Sequence, residues 1–246
     1  MTFTALWRAG AVWPIVWASS VAIHADIILS ASGLNDTLKK MQRLQQTIVN
    51  PATAGAERAD AWFLIGMEAD GLAALINDEV AAHGSQEKPL IDLAVSRTGE
   101  LGLRLSYDTT KKRFFYDNAA FREYLAAAPR GGHAAEASFK LIEGDFFRSS
   151  ATDVPAILAA AERKRAFLRQ YRSFAGAVEV HLMLSVDYRD LFRHYQTSND
   201  TTERNRYRDL LRQELRLLMK TYPRSEQAEI ARRMLKRFEE DLRARP

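Results

Sequence analysis

Three places in the chain set reactive side chains at spacings that suit chemistry. Asp187, Asp190 and His194 lie three and four residues apart, so on a helix Asp190 and His194 share one face, an arrangement able to hold a metal ion or exchange a proton. Only one histidine is involved, and Arg189 and Arg193 beside it offer ordinary ion pairs, so the spacing favours a surface charge network over a metal centre. His133 follows Gly131 and Gly132 in the stretch after Pro129. A flexible loop of that kind can cradle an anion at a helix start, but its composition is equally that of a plain turn. The basic run "ERKRAFLRQYR", Glu162 to Arg172, alternates cations with aromatics as some nucleic-acid binders do. Phe167 and Tyr171, four apart, read more simply as a core stripe beneath an arginine-rich outer face. On that face Arg163, Arg165, Arg169 and Arg172 form the candidate interaction surface, suited to a polyanionic partner.

Local catalytic signatures are missing from the sequence. It contains no G-x-x-x-x-G-K-[ST] phosphate loop, no G-x-S-x-G elbow, no H-E-x-x-H and no G-x-G-x-x-G. There is no cysteine, which removes disulfides, thiolate nucleophiles, cysteine-zinc sites and a cysteine-borne lipid anchor. The residues therefore point to binding, with no catalytic residue, cofactor or metal expected. An enzyme with a nonlocal acid/base site built on carboxylates with His181 or His194 is the alternative, as is a structural homo-oligomer held by the Tyr207 to Leu242 segment.

The elements that must position such groups are helical. At 246 residues with 47% hydrophobic content, the chain can bury one substantial core or a stack of helical units. The net charge of +4 is uneven: from Thr201 onward 13 Lys plus Arg stand against 8 Asp plus Glu. At the amino end no Asp, Glu, Lys or Arg occurs between Arg8 and Asp26, and the run closes on small residues, Ile23-His24-Ala25 or Ser20-Val21-Ala22. That pattern predicts a cleaved signal peptide over 1–25 and a periplasmic location, with an uncleaved inner-membrane anchor as the alternative. The run is short for a membrane span and Pro14 interrupts it. Export makes nucleic acid an unexpected partner, and membrane contact is expected only through this segment.

Past the signal, apolar residues recur at three and four. Leu38, Met41, Leu44 and Ile48 place a helix over 35–49, and an alanine-rich pattern places another over 57–82 despite Gly66 and Gly71, which suit close helix approach. Further helices are expected over 88–100, 119–128, 133–147 and 154–172, the last with Asp153 as N-cap and Pro155 in its first turn. A β-branched stretch weakens the helical signal over 177–195. Tyr207, Leu211, Leu215, Leu218 and Tyr222 form one stripe, and Ala228, Ala231, Leu235, Phe238 and Leu242 another, with Pro223 between them as the stop of an antiparallel pair. "LGLRLSYDTTKKRFFYD", 101–117, instead alternates apolar and polar residues about a turn-like centre, predicting a short β-hairpin or an extended insertion.

The prolines share a register. Pro51 is followed five, eight and twelve residues on by Ala56, Ala59 and Phe63, Pro129 by Ala134, Ala137 and Leu141, and Pro223 by Ala228, Ala231 and Leu235. Physically this is a helix stop, a short turn, and a new helix that shows small residues where its predecessor crosses and larger ones where the gap widens. The intervals between the prolines exceed one helix pair, so units between them are degenerate or carry insertions. In "NPATAGAERADAWF", "APRGGHAAEASFKL" and "YPRSEQAEIARRML" the chain resembles the tetratricopeptide repeat (TPR) family, and within it the envelope members of outer-membrane barrel assembly and of the Tol-Pal coordinator group. The resemblance covers these three boundary segments. It implies an all-α, TPR-like α-solenoid of antiparallel helix pairs forming a single domain over 26–246. It further implies a protein-protein interaction scaffold or adaptor in the bacterial envelope, partnered by another envelope protein or by its own copy.

Overall fold

The computed structural model describes residues 30–83, 88–148 and 153–244, and the expected signal segment lies outside them. Among the described residues the chain forms nine helices and one two-stranded antiparallel sheet, so the all-α expectation holds with a small β insertion. The chain divides into two compact units, one ending at Val180 and one running from His181 toward the carboxyl end, with the boundary inside a helix.

The first unit opens with α1 (Ala31–Val49), which starts four residues before the expected Asn35 because Ser30 caps it. The Ser30 backbone is extended and its Oγ accepts the Gly33 N–H at 3.1 Å, filling one of the donors a helix start leaves open. Helix α2 (Gly55–His83) is apolar around much of its circumference and is covered on several sides by its neighbours. Gly66 lets Phe121 lie on the helix, since a Cβ there would fall 2.9 Å from the ring. Gly71 meets open space, so the close approach expected at both glycines occurs at Gly66 alone. Helix α3 (Lys88–Glu100) then leads into the insertion.

Of the two forms expected over 101–117, the hairpin is observed. Strand β1 (Leu105–Asp108) pairs with β2 (Arg113–Tyr116), Leu105 opposite Tyr116 and Asp108 opposite Arg113. Asp108 builds the turn by accepting the N–H groups of Thr110 and Lys111 at 2.9 and 3.0 Å, and Lys112 takes the left-handed backbone. Two strands alone are marginal in water, and here helices hold them. Asn77 of α2 donates to the Phe114 carbonyl at 2.9 Å and accepts the Phe114 N–H at 2.7 Å, acting as a third strand one residue long. Arg148 donates to the Tyr116 carbonyl at 2.6 Å, and the buried Tyr116 hydroxyl accepts the Ala120 N–H at 2.8 Å.

That hydroxyl helps start α4 (Ala119–Ala127), which is followed by α5 (Ala134–Arg148) and α6 (Val154–Gln170). Asp153 stands at the N-cap of α6 with extended backbone, but its side chain makes no capping hydrogen bond, so Pro155 in the first turn is the part of that expected start that operates. Asn118, before α4, is buried with φ +63° and donates to the Lys140 carbonyl at 3.0 Å. Its amide fills the space that a Cβ at Gly144 would need. Phe63, Phe121 and Tyr124 form the aromatic centre of this unit, with ring centroids 5.6 to 6.0 Å from Phe63.

Helix α7 (Ala177–Thr197) is regular throughout, its β-branched stretch notwithstanding, because Val178, Val180 and Leu182 are buried. Within the second unit α8 (Thr201–Thr221) begins at Asp200, whose carboxylate accepts the Glu203 N–H at 3.0 Å, and α9 (Glu226–Ala244) follows a short turn. The two stripes predicted for α8 and α9 are the buried faces: Tyr207, Leu211, Leu215 and Leu218 on one, Ala228, Ala231 and Phe238 on the other. Tyr222 ends its helix as the C-cap.

One turn geometry occurs three times. After α4 the Ala128 N–H bonds to the Tyr124 carbonyl, Gly131 N–H to Ala128, and Ala134 N–H to Gly131. After α6 the same ladder runs through Tyr171, Phe174 and Ala177, and after α8 through Tyr222, Ser225 and Ala228. The capping residues share one conformation, with φ/ψ of −139/64, −122/49 and −125/55°. A proline follows Ala128 and Tyr222, where its missing N–H goes unneeded, whereas Arg172 takes that place in the middle copy. The ladder is made entirely of main-chain bonds, so it forms with or without proline.

Candidate functional site

The small residues of the shared register are packing groups at most positions. Ala134, Ala137, Ala228 and Ala231 are buried, as are Ala177 and Val180 at the matching places of the middle turn. Ala59 and Phe63 are buried, but Ala56 is exposed, and Asn50 before Pro51 has φ −70° and ψ 116°, outside the conformation of the other caps. The first copy thus turns differently: Asn50 Oδ1 takes the Ala52 N–H at 3.0 Å and α2 begins at Gly55. Leu141 and Leu235 are half-buried, and Pro51, Pro129 and Pro223 are exposed.

The basic run is partly neutralised, by one acid of its own and one from α5. On α6 Glu162 binds Arg165 at 2.7 Å and Arg169 at 3.0 Å, while Arg163 reaches Asp145 of α5 at 3.4 Å. Arg169, first by hydrogen bond, and Arg165, by charge, hold the Glu162 carboxyl below its ordinary range. Arg163, Arg169 and Arg172 are exposed and Arg165 is half-buried. Lys164 turns the other way: it is buried, with its ammonium 5.4 Å from the centre of the Phe146 ring. Phe167 is buried against Phe139, Tyr171 and Phe174, as the stripe reading requires.

The histidine constellations resolve into structural contacts. Asp190 accepts from Arg189 at 3.2 Å, and the His194 ring lies edge-on to Tyr195 at 5.3 Å. His133 stacks on Phe63 with centroids 4.1 Å apart and planes 7° apart, and its backbone N–H donates to the Tyr124 hydroxyl at 2.9 Å. Its ring belongs to the aromatic centre of the first unit. In the second unit the His181 ring hydrogen-bonds Glu214 across α7 and α8, both side chains mostly shielded, with Tyr222 6.0 Å away.

A further charged cluster is not legible in the residue spacing. Lys140 of α5 donates to Asp70 of α2 at 2.8 Å and to Glu143 at 3.0 Å. Burial works against the ammonium, but the two carboxylates outweigh it and raise its pKa. Burial also pushes the Glu143 carboxyl up in spite of Lys140, and it pushes up Glu179, which Glu143 raises further. Lys140 and Glu143 sit three apart on a helix, a visible signal, but Asp70 comes from a distant segment and nothing in the spacing connects them. The arrangement is an ion triad holding α2 to α5, with protons tightly bound at Lys140. Among the described residues no group of three or more His, Asp or Glu side chains is placed to hold a metal ion, and no helix is long and apolar enough to cross a membrane. Comparison with known proteins yields no match among family models, curated proteins or solved structures.

Proposed function

We propose that this chain is a TPR-like helical-repeat scaffold, exported through its amino-terminal segment to the bacterial periplasm, that binds another envelope protein and performs no bond-making step. The observation that carries the reading is the turn after α4, α6 and α8, one hydrogen-bond ladder with a small buried residue opening the next helix each time. It supplies a copy at Tyr171 inside the long interval between Pro129 and Pro223, where the sequence register required a degenerate unit. Stacked helix pairs expose extended faces, and the α6 arginines, already paired but outward, offer one. Among consecutive helices α1 packs on α2, α4 on α5, α5 on α6 and α8 on α9, and across the insertion α2 packs on α4.

The test is capture of the tagged chain, crosslinked in envelope extracts, with the bound material identified by mass spectrometry. A single envelope protein recovered reproducibly, and lost in an Arg165→Glu/Arg169→Glu variant that keeps its melting temperature, is the expected result. A monomeric chain that recovers nothing overturns the scaffold reading. The mass of the chain recovered from the envelope separates a mature start at Asp26 from a retained anchor.

A further inference from the structure

The hairpin has a closed edge and an open one. In an antiparallel ladder each residue aims its N–H and C=O either at its partner or away from it, in alternation. On β2 Phe114 and Tyr116 aim away from β1 and are met: Asn77 takes both main-chain groups of Phe114, and Arg148 donates to the Tyr116 carbonyl. The Asp117 N–H crosses the ladder to the Arg104 carbonyl at 3.0 Å, in step with that alternation. Tyr107 and Leu105, opposite Phe114 and Tyr116, therefore aim their main-chain groups outward from β1. Among the described residues no hydrogen bond meets them there. Leu105 sinks its side chain into the core, but Arg104 and Ser106 on either side of it are exposed, and Tyr107 is 46% exposed beside the Phe114 ring.

This edge is its own complement about Ser106. Arg104 and Asp108 flank that serine at equal distance with opposite charge, and Leu105 and Tyr107 flank it more closely with apolar side chains. Arg104 makes no ion pair among the described residues. Asp108 spends its Oδ1 on the turn, while its Oδ2 lies 3.9 Å from Lys111 and keeps room for a second cation. We propose that β1 pairs edge to edge with β1 of a second copy of this chain, antiparallel about Ser106, extending the sheet across both chains. In that register Leu105 of each chain exchanges main-chain bonds with Tyr107 of the other, and Arg104 of each falls opposite Asp108 of the other. A second copy is favoured over a foreign strand because the main-chain, apolar and ionic pairings are all supplied by one sequence read in reverse. The contact is separate from the protein-binding reading above. It is small and therefore weak, so trapping detects it best.

The absence of cysteine makes trapping specific. In the full chain, Ser106→Cys sets the two thiols at a non-hydrogen-bonded pair with Cα atoms about 4.5 Å apart, within disulfide reach. Thr109→Cys, exposed on the turn, lies roughly 20 Å from its copy in the same register and serves as the control. Mild oxidation of dilute protein is expected to give a disulfide-linked dimer from position 106 and monomer from position 109. Association through the amino-terminal segment cannot imitate this result, since it has no reason to prefer 106 to 109. Tyr107→Pro in the Ser106→Cys chain removes an outward N–H that the hairpin itself does not use, a change an edge strand accepts. It should lower cross-linking by about tenfold or more, with helicity and melting temperature retained. Arg104→Glu, which sets like charges opposite each other at both ends of the pairing, should lower it by about tenfold, and less in high salt. Equal cross-linking at 106 and 109, no dimer at 106, or cross-linking that Tyr107→Pro leaves intact would overturn the proposal. So would a Ser106→Cys chain that ignores its copy and is trapped instead on another protein in envelope extract.

Discussion

One charged cluster from each unit makes a comparison. In the first, Lys140 is drawn between Asp70 and Glu143 and shielded by its surroundings, and Lys164 lies over an aromatic ring. In the second, arginines and lysines line the outside of a two-helix hairpin, and Arg212 grips Glu239 in a half-buried bidentate pair. Buried charge is costly to leave unpaired, so the first arrangement constrains architecture; exposed charge is cheap to move, so the second is available for contacts beyond the chain. The contrast is between these two clusters, since the second unit also shields the His181–Glu214 pair and the first also exposes the α6 arginines.

The largest expected effect tests the packing that surrounds the first unit's charges. Phe121→Ala, which empties the space over Gly66, should destabilise the chain by about 3–5 kcal/mol in denaturant unfolding. Lys140→Met should cost about 3 kcal/mol at neutral pH, because Asp70 and Glu143 are left crowded without their cation. The sign with pH follows from Glu143: its carboxyl is raised in the folded state, so its favourable contribution is complete below the ordinary glutamate range and is lost as pH rises through the raised value. The deficit of Lys140→Met should therefore shrink as the pH is lowered toward about 4, and a deficit constant with pH would remove the triad from the contrast. Asn77→Ala should cost about 2 kcal/mol and speed amide exchange at Phe114, since it leaves both a backbone donor and an acceptor of β2 unpaired. Smallest of all, Arg212→Ala should cost no more than about 1 kcal/mol and lose even that in high salt. A larger, salt-insensitive loss would erase the difference between the clusters.

Much of the helical order was legible in the sequence because burial and period agree: Leu211, Leu215 and Leu218 could face only inward. Helix starts were less legible, since Ser30 caps α1 from outside the apolar pattern and Asp153 occupies a cap site without bonding. The middle turn was hidden for a physical reason. Its geometry is set by main-chain bonds from Tyr171 to Ala177, and Arg172 fills the position where proline had been the visible mark. Of the charged groups, the α6 arginines could be placed on a face, but Glu162's dual grip and the inward turn of Lys164 depend on which neighbours the fold supplies. Asp70 and Lys140 meet only because α2 and α5 both pack on α4, and His133 finds Phe63 beside Tyr124 of the same helix.

Asn118 and Gly144 also carry a consequence for inheritance. The asparagine amide occupies the volume that any side chain at 144 would claim, while the same amide ties the entry of α4 to the carbonyl of Lys140. Neither position can drift alone: a larger residue at 144 evicts the amide, and a smaller one at 118 leaves a gap that a residue at 144 could fill only after the tie is gone. Descendants of this chain should keep the two together or exchange them together, a covariation of residues far apart in the sequence that comes from one shared volume.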